Sequence, residues 1–397
     1  MVLKLDNMVI RVLLGGNQLN INNRISNVLT YIAYGDSIGF LHENLQQSTN
    51  ALEPFYYSYN NEIKIEAERG QWSYITQLTI INCKCLLDHG EKNKVTIDYK
   101  RIFEEIKLWS YYRCGTPSNY MAKLELGKSY YTDEFYWNDK FGEGLARIIP
   151  IALVNKNFNA AQEEVYKNVV YINRHPQVIL SGLLLLRTTN FLLNHKVFDK
   201  NQLLDELKNY LMQLQLAELE KNMNGALPSS YRIKFEQEKI NYLMDLDRVK
   251  SLTMVPTNAD GKTVFLSSLL CFFQLWDKTE NEGSSLELKG KEVYAVAYGL
   301  LALTDKKQDL DVESIKDYSF IKSMGEYLVK LREYEVEKIP FIKENENIDI
   351  FSLNKGEAAK HPLLNHIRIH KKTQNNHYVE LIVGSKSGLY KFIKNKK

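Results

Sequence analysis

Three short segments carry residue types that could do chemistry. The first, YGDSIGFLHE from Tyr34 to Glu43, sets Asp36 and Glu43 around Gly35 and Gly39. Carboxylates there can serve as proton acceptors or as oxygen ligands for a hard cation. The plainer reading is a helix closed by Gly35, since glycine enters the left-handed region cheaply, followed by a loop acid. The second, QWSYITQLTI from Gln71 to Ile80, places Ser73 and Thr76 ahead of an apolar helix, with Ser73 as its N-cap. The third, FGEGLARIIPIAL from Phe141 to Leu153, flanks Glu143 with Gly142 and Gly144 and puts Arg147 in the first turns of a helix. Free backbone amides beside a guanidinium fork suit an anion such as phosphate. The competing reading is a glycine-rich turn with Arg147 on the solvent face.

Weaker signals resolve toward ordinary structure. DGKT, Asp260 to Thr263, lacks the leading glycine and the preceding strand of a phosphate-binding loop. His366 and His370 are four apart, but Ile367 and Ile369 alternate with them as in a strand, which puts both histidines on one exposed edge. Tyr56, Tyr57, Tyr59, Tyr111, Tyr112, Tyr130 and Tyr131 fall in loops, where they can stack on a ligand or simply cover the core. Cys83, Cys85, Cys114 and Cys271 form no CxxC pair, so they are expected as reduced, packed thiols.

The elements that must position these residues are mostly helical by apolar period. Faces recur at Ile25–Ile32, Leu78–Cys85, Ile102–Trp109, Ile148–Ala152, Val165–Ile172, Leu203–Leu219, Ile240–Leu246, Val264–Trp276, Val293–Leu303 and Ile321–Leu331. Val178–Leu193 is apolar almost all round and is expected as a central buried helix. The opening MVLKLDNMVIRVLLGG alternates and reads as a short strand rather than a signal peptide. Loops are expected at 113–119, 224–230, 255–262 and 278–285, where turn formers cluster. After about Lys338, Tyr378–Val383 and Leu389–Ile393 read as a β-hairpin, with HIRIH at His366–His370 as a third strand. The expectation is an all-α body over 1–335 and a C-terminal β appendage over 336–397. The chain has 397 residues, with 51 Lys and Arg against 48 Asp and Glu, a net charge of +3. That balance indicates neither nucleic acid nor an anionic membrane as partner. A cytoplasmic location is expected.

Taken together, in this order and spacing, the three segments resemble the ADP-ribosylglycohydrolase family. The family's first motif, GDxxGxxxE, is met by Gly35, Asp36, Gly39 and Glu43. Its WTDDT segment survives as Trp72, Ser73, Thr76 and Gln77, with Tyr74 and Ile75 where the two acids stand. GNGxxMRxxPxxL is matched by Gly142, Gly144, Arg147, Pro150 and Leu153, one residue shorter before the arginine. The late GGDxDT helix is similar to LELKGKEVYAVAYGLLAL, Leu286 to Leu303, where Gly290, Glu292 and Val293 replace the acid pair and the threonine. NRHPQVILSG, Asn173 to Gly182, resembles the family's histidine segment before a buried helix.

The resemblance, which spans about Ile25 to Leu303, implies an all-helical bundle with two Mg²⁺ ions at its mouth and ADP-ribose across them. Of the residues it assigns to metal, Glu43, Thr76 and Glu292 remain, enough for at most a single ion and too few carboxylates for two adjacent ones. Asp36, Ser73, Thr76, Gly142, Gly144 and Arg147 are expected to line the ligand cleft. The leading expectation is a degenerate protein that binds an ADP-ribosyl group, a nucleotide or a protein partner rather than cutting it. The alternatives are a hydrolase with Glu43 as base, helped by Glu292, and an interaction scaffold that uses the C-terminal segment.

Overall fold

The computed structural model describes residues 2–45, 55–59, 63–89, 94–195, 197–223, 227–251, 260–277, 290–306, 309–336, 340–341 and 348–396, with side chains from residue 21 onward. These residues are mostly helical, with a small C-terminal sheet. The first helices are α1 (Val2–Leu45), α2 (Tyr74–Cys85) and α3 (Tyr99–Trp109). The shorter α4 (Ser118–Leu126), α5 (Glu134–Asn138) and α6 (Ile148–Val154) follow. The body is completed by α7 (Phe158–Val170), α8 (Pro176–Asn194), α9 (Lys200–Gln213), α10 (Leu216–Glu220), α11 (Tyr231–Lys250), α12 (Gly261–Asp277), α13 (Lys291–Leu301) and α14 (Tyr318–Arg332).

Helix α8 sits at the centre. His175 caps it by accepting from Gln177 N, and Pro176 at its first position has no amide to lose. It is long and apolar enough to cross a membrane, yet here nearly all of it is buried among other helices. Each buried leucine contributes about 1.5–3 kcal/mol, so this helix anchors the core. All four cysteines are free and buried.

Two sequence expectations are corrected near the N-terminus. Residues 2–20 are the start of α1, not a strand. Their alternation covers too short a window to separate a strand from one face of a helix, and the 44-residue run decides for helix. Gly35 does not end a helix either, because α1 runs through Gly35 and Gly39 to Leu45. Both glycines face α13. A Cβ on Gly35 would lie 2.4 Å from Tyr294 O, and one on Gly39 would lie 2.3 Å from Lys291 Cα. They are there so that two helix backbones can touch.

The expected Leu203–Leu219 helix is broken at Leu214 into α9 and α10. Residues 113–117 and 227–230 are non-helical connections, whereas 224–226, 255–259 and 278–285 lie outside the described residues. Two small antiparallel hairpins were not foreseen: β1 (Tyr56–Ser58) with β2 (Lys64–Glu66), and β3 (Leu86–His89) with β4 (Lys94–Ile97).

The C-terminal sheet is antiparallel in the order β5 (Ala358–His361), β6 (Asn365–Gln374), β7 (Tyr378–Ser385), β8 (Gly388–Asn395). Ile367, Ile369, Leu381, Val383 and Phe392 alternate onto its buried face. Tyr112 packs against Tyr390 and Phe392, and Ile393 N donates to Tyr111 O at 2.7 Å. Ile393, on the opposite side of β8, joins Phe40, Phe55, Tyr57, Tyr59 and Ile65 in a second apolar cluster.

Candidate functional site

The three motif segments and the start of α13 converge at one end of the bundle. Asp36, on α1, faces the N-terminus of α2. It is fully buried and accepts four hydrogen bonds: Ser73 N at 2.9 Å, Ser73 Oγ at 2.6 Å, Thr76 N at 3.0 Å and Thr76 Oγ1 at 2.7 Å. A negative group at a helix N-terminus also meets the positive end of the helix dipole. Ser73 is the N-cap, as its position in the sequence suggests, and its Oγ accepts from Ile75 N. Burial still outweighs the four donors and pushes Asp36 up to about 6. Asp36, Ser73 and Thr76 are therefore joined to one another, with their polar atoms spent on fixing α1 to α2.

Glu43 lies two turns further along α1. Its carboxylate accepts from Lys291 N at 2.9 Å and forms an ion pair with the Lys291 ammonium. That ammonium also stands 5.2 Å from the centre of the Tyr74 ring. Tyr74 rests against Gly115, whose φ of +100° and missing side chain make room for the ring. Burial, with help from Glu143, Glu292, Glu43 and Asp36, holds the Tyr74 hydroxyl well above its usual value, so it stays a neutral phenol. Ile75 is fully buried in the core.

Glu292 occupies the notch that the sequence suggested for an anion. Its two oxygens accept from Gly144 N and Ala146 N, each at 3.2 Å. Gly144 holds the left-handed conformation, φ 71°, that turns those amides outward. Arg147 points inward and is buried: it donates to Glu143 O at 2.9 Å, Gly144 O at 2.7 Å and Asn168 Oδ1 at 3.0 Å. Gly142 packs on Gly261, where an added Cβ would lie 2.7 Å from the neighbouring Cα. Glu143 caps α4 by accepting from Ser118 N, Ser118 Oγ and Asn119 N. The amides and guanidinium that could hold a phosphate thus already have partners within the protein.

Burial pushes Glu292 up to about 8, the two amide bonds opposing it. The folded value lies above the ordinary 4.5, so the stabilisation is fully present below about pH 4.5 and is lost as pH rises through about 8. Glu292→Gln keeps an acceptor and cannot ionise. Between about pH 5 and about pH 8.5 it should remove on the order of 1–2 kcal/mol of the wild type's fall in stability. Denaturant unfolding at the two pH values reads this directly, and parallel wild-type and variant profiles would refute it.

The residues assigned to metal do not fit a pair of Mg²⁺ ions. Glu43 is held by an ammonium, Thr76 Oγ1 donates to Asp36, and Glu292 is turned onto backbone amides. Among the described residues, no group of three or more His, Cys, Asp or Glu side chains is arranged to hold an ion. No protein-family model matches the chain, and no curated protein matches it.

The sequence signalled the segments but not their partners. Lys291 carries no motif, and only the approach of α13 to Gly39 brings it to Glu43. A cavity of about 140 Å³ was also missed. It lies between the α2 start, the residues before α14 and the β7–β8 hairpin, with Trp72, Gln77, Tyr112, Arg113, Lys316 and Tyr390 among its walls. Trp72 Nε1 donates to Lys316 O at 2.9 Å, and the buried Nε of Arg113 has no partner.

Proposed function

We propose that this chain is a degenerate protein of the ADP-ribosylglycohydrolase type that binds rather than hydrolyses. The observation that carries this reading is the Glu43–Lys291 pair. The Lys291 ammonium neutralises Glu43, the carboxylate of the first motif that the resemblance assigns to metal. A divalent ion would have to displace that ammonium, and it would find Tyr74 and Ile75 where two more carboxylates are needed. The same pair weighs against Glu43 as a general base: 36% of its side chain is exposed, yet one oxygen accepts from Lys291 N and the other from the ammonium.

The binding half of the reading rests on the cavity at Trp72. Its aromatic walls suit a planar group such as a nucleotide base, with the unpartnered Arg113 Nε as a donor, while Lys316 is already paired with Glu68. Calorimetric titration with ADP-ribose, run with and without Mg²⁺, tests the proposal. Binding indifferent to Mg²⁺ is expected, and binding that requires Mg²⁺ would sink it.

A further inference from the structure

The small net charge of the whole chain conceals a partition. Residues 355–397 hold ten Lys and Arg against only Glu357 and Glu380, a net +8, which leaves the remainder of the chain at −5. Sheet register then gathers part of that charge on one face. In β6, Arg368 pairs with Gly384, while Lys371 pairs with Ile382. Gly384 and Ile382 are two apart on β7, so Arg368 and Lys371 share a face although they are three apart in sequence. A β-bulge between Ile369 and Lys371 makes this so. It inserts His370, turns Lys371 to the side of Arg368, and sends Lys372 inward to donate to Phe351 O and Leu353 O, both at 2.9 Å.

His370 lies on the same face. A Cβ on Gly384 would stand 2.3 Å from its Nε2, so the glycine is what lets the imidazole lie across β7. Lys391 pairs with Ile382 and so joins the face from β8, and Lys360, opposite His366, extends it to the edge strand. Lys360, His366, Arg368, His370 and Lys371 are all exposed. None of the cations Lys360, Arg368, Lys371 and Lys391 forms an ion pair with a described carboxylate, in contrast to Lys394, which pairs with Asp349 on the other side.

We propose that this face of the C-terminal sheet docks the phosphate backbone of a single-stranded nucleic acid. Clustered cations that outnumber the single carboxylate on the same face, Glu380, are the electrostatic footprint of such a partner. Arg368 supplies a planar fork matched to phosphate oxygens. The face offers little of what the rival partners need. A protein interface is centred on buried aromatic and aliphatic anchors, and a membrane surface needs apolar residues to insert. Within the four strands, Leu389 is the one large hydrophobic residue that is strongly exposed. A sheet face offers no helix for a duplex groove and fits a flexible strand better. This inference is separable from the reading of the helical end: Lys391 also lines the cavity at Trp72, whereas Arg368, His370 and Lys371 do not.

The test is fluorescence anisotropy of the full chain with a labelled single-stranded oligonucleotide across a salt series. With about four phosphate contacts, a log–log slope near −3 is expected, a loss of roughly 50-fold in affinity between about 50 and about 200 mM salt. Arg368→Glu combined with Lys371→Glu should weaken binding at least about tenfold and flatten the slope by roughly 1.4. Lys322→Glu combined with Lys330→Glu, an equal charge reversal on the exposed side of α14, should change neither, and circular dichroism confirms that both variants are folded. Absence of binding at about 50 mM salt, an unaffected double variant, or equal binding of polyglutamate of the same length would each overturn the proposal.

Discussion

Asp36→Ala should destabilise the protein by about 3–5 kcal/mol, one of the two largest losses expected from any single change near the motif end. Asp36 is fully buried and accepts from two backbone amides and two hydroxyls. Removing the acceptor leaves the amides of Ser73 and Thr76 in a dry interior with nothing to bind. Each orphaned donor costs about 1–3 kcal/mol. The two hydroxyls can rotate toward nearby carbonyls, which keeps the total below a simple sum. The loss also falls on the α1–α2 junction, where α2 loses the negative group that complements its dipole. Urea unfolding followed by circular dichroism gives the number, and a loss under about 1 kcal/mol would mean that Asp36 is not the fastener described above.

Gly39→Ala is the second. In an exposed helix, alanine for glycine gains about 1 kcal/mol of helix propensity. Here the sign should reverse, to a net loss of about 2–3 kcal/mol, because the new Cβ meets backbone. It would lie 2.3 Å from Lys291 Cα and 2.7 Å from Lys291 N, and neither atom belongs to a side chain that can swing away. Helix α1 must back off α13, which loosens the Glu43–Lys291 contact as well. The same unfolding experiment decides it: a gain in stability would show that the two helices do not touch at this point.

The contrast between these two positions shows what a sequence makes legible. Ser73 announces itself as an N-cap because capping is local: a hydroxyl, then an apolar run three residues on. Helices such as α3, α12 and α14 announce themselves by period. Gly39 does not, since its reason for being glycine lies in α13, some 250 residues later. A helix cap was the local explanation for Gly35, and a tertiary contact displaced it. The strand β5 escaped notice because AAKH has no β-branched or aromatic residue and takes its strand form from pairing with β6.

The candidate site divides in the same way. The motif segments could be picked out, and the fold does bring Asp36, Ser73 and Thr76 into hydrogen-bonding contact. What each carboxylate binds could not be read. Glu292 on the amides of Gly144 and Ala146, and Lys291 on Glu43, are pairings across more than a hundred residues with no spacing rule behind them. The bulge at His370 is similar: Arg368 and Lys371 look like opposite faces of a strand until one inserted residue puts them on the same side.

Because the motif end of this fold commits its carboxylates to internal contacts, we propose that the chain does not hydrolyse an ADP-ribosyl bond. The most direct measurement is release of ADP-ribose from an ADP-ribosylated peptide by the full chain in excess Mg²⁺. No release above that of the peptide alone is expected. Mg²⁺-dependent release that disappears in Glu43→Gln would contradict the proposal.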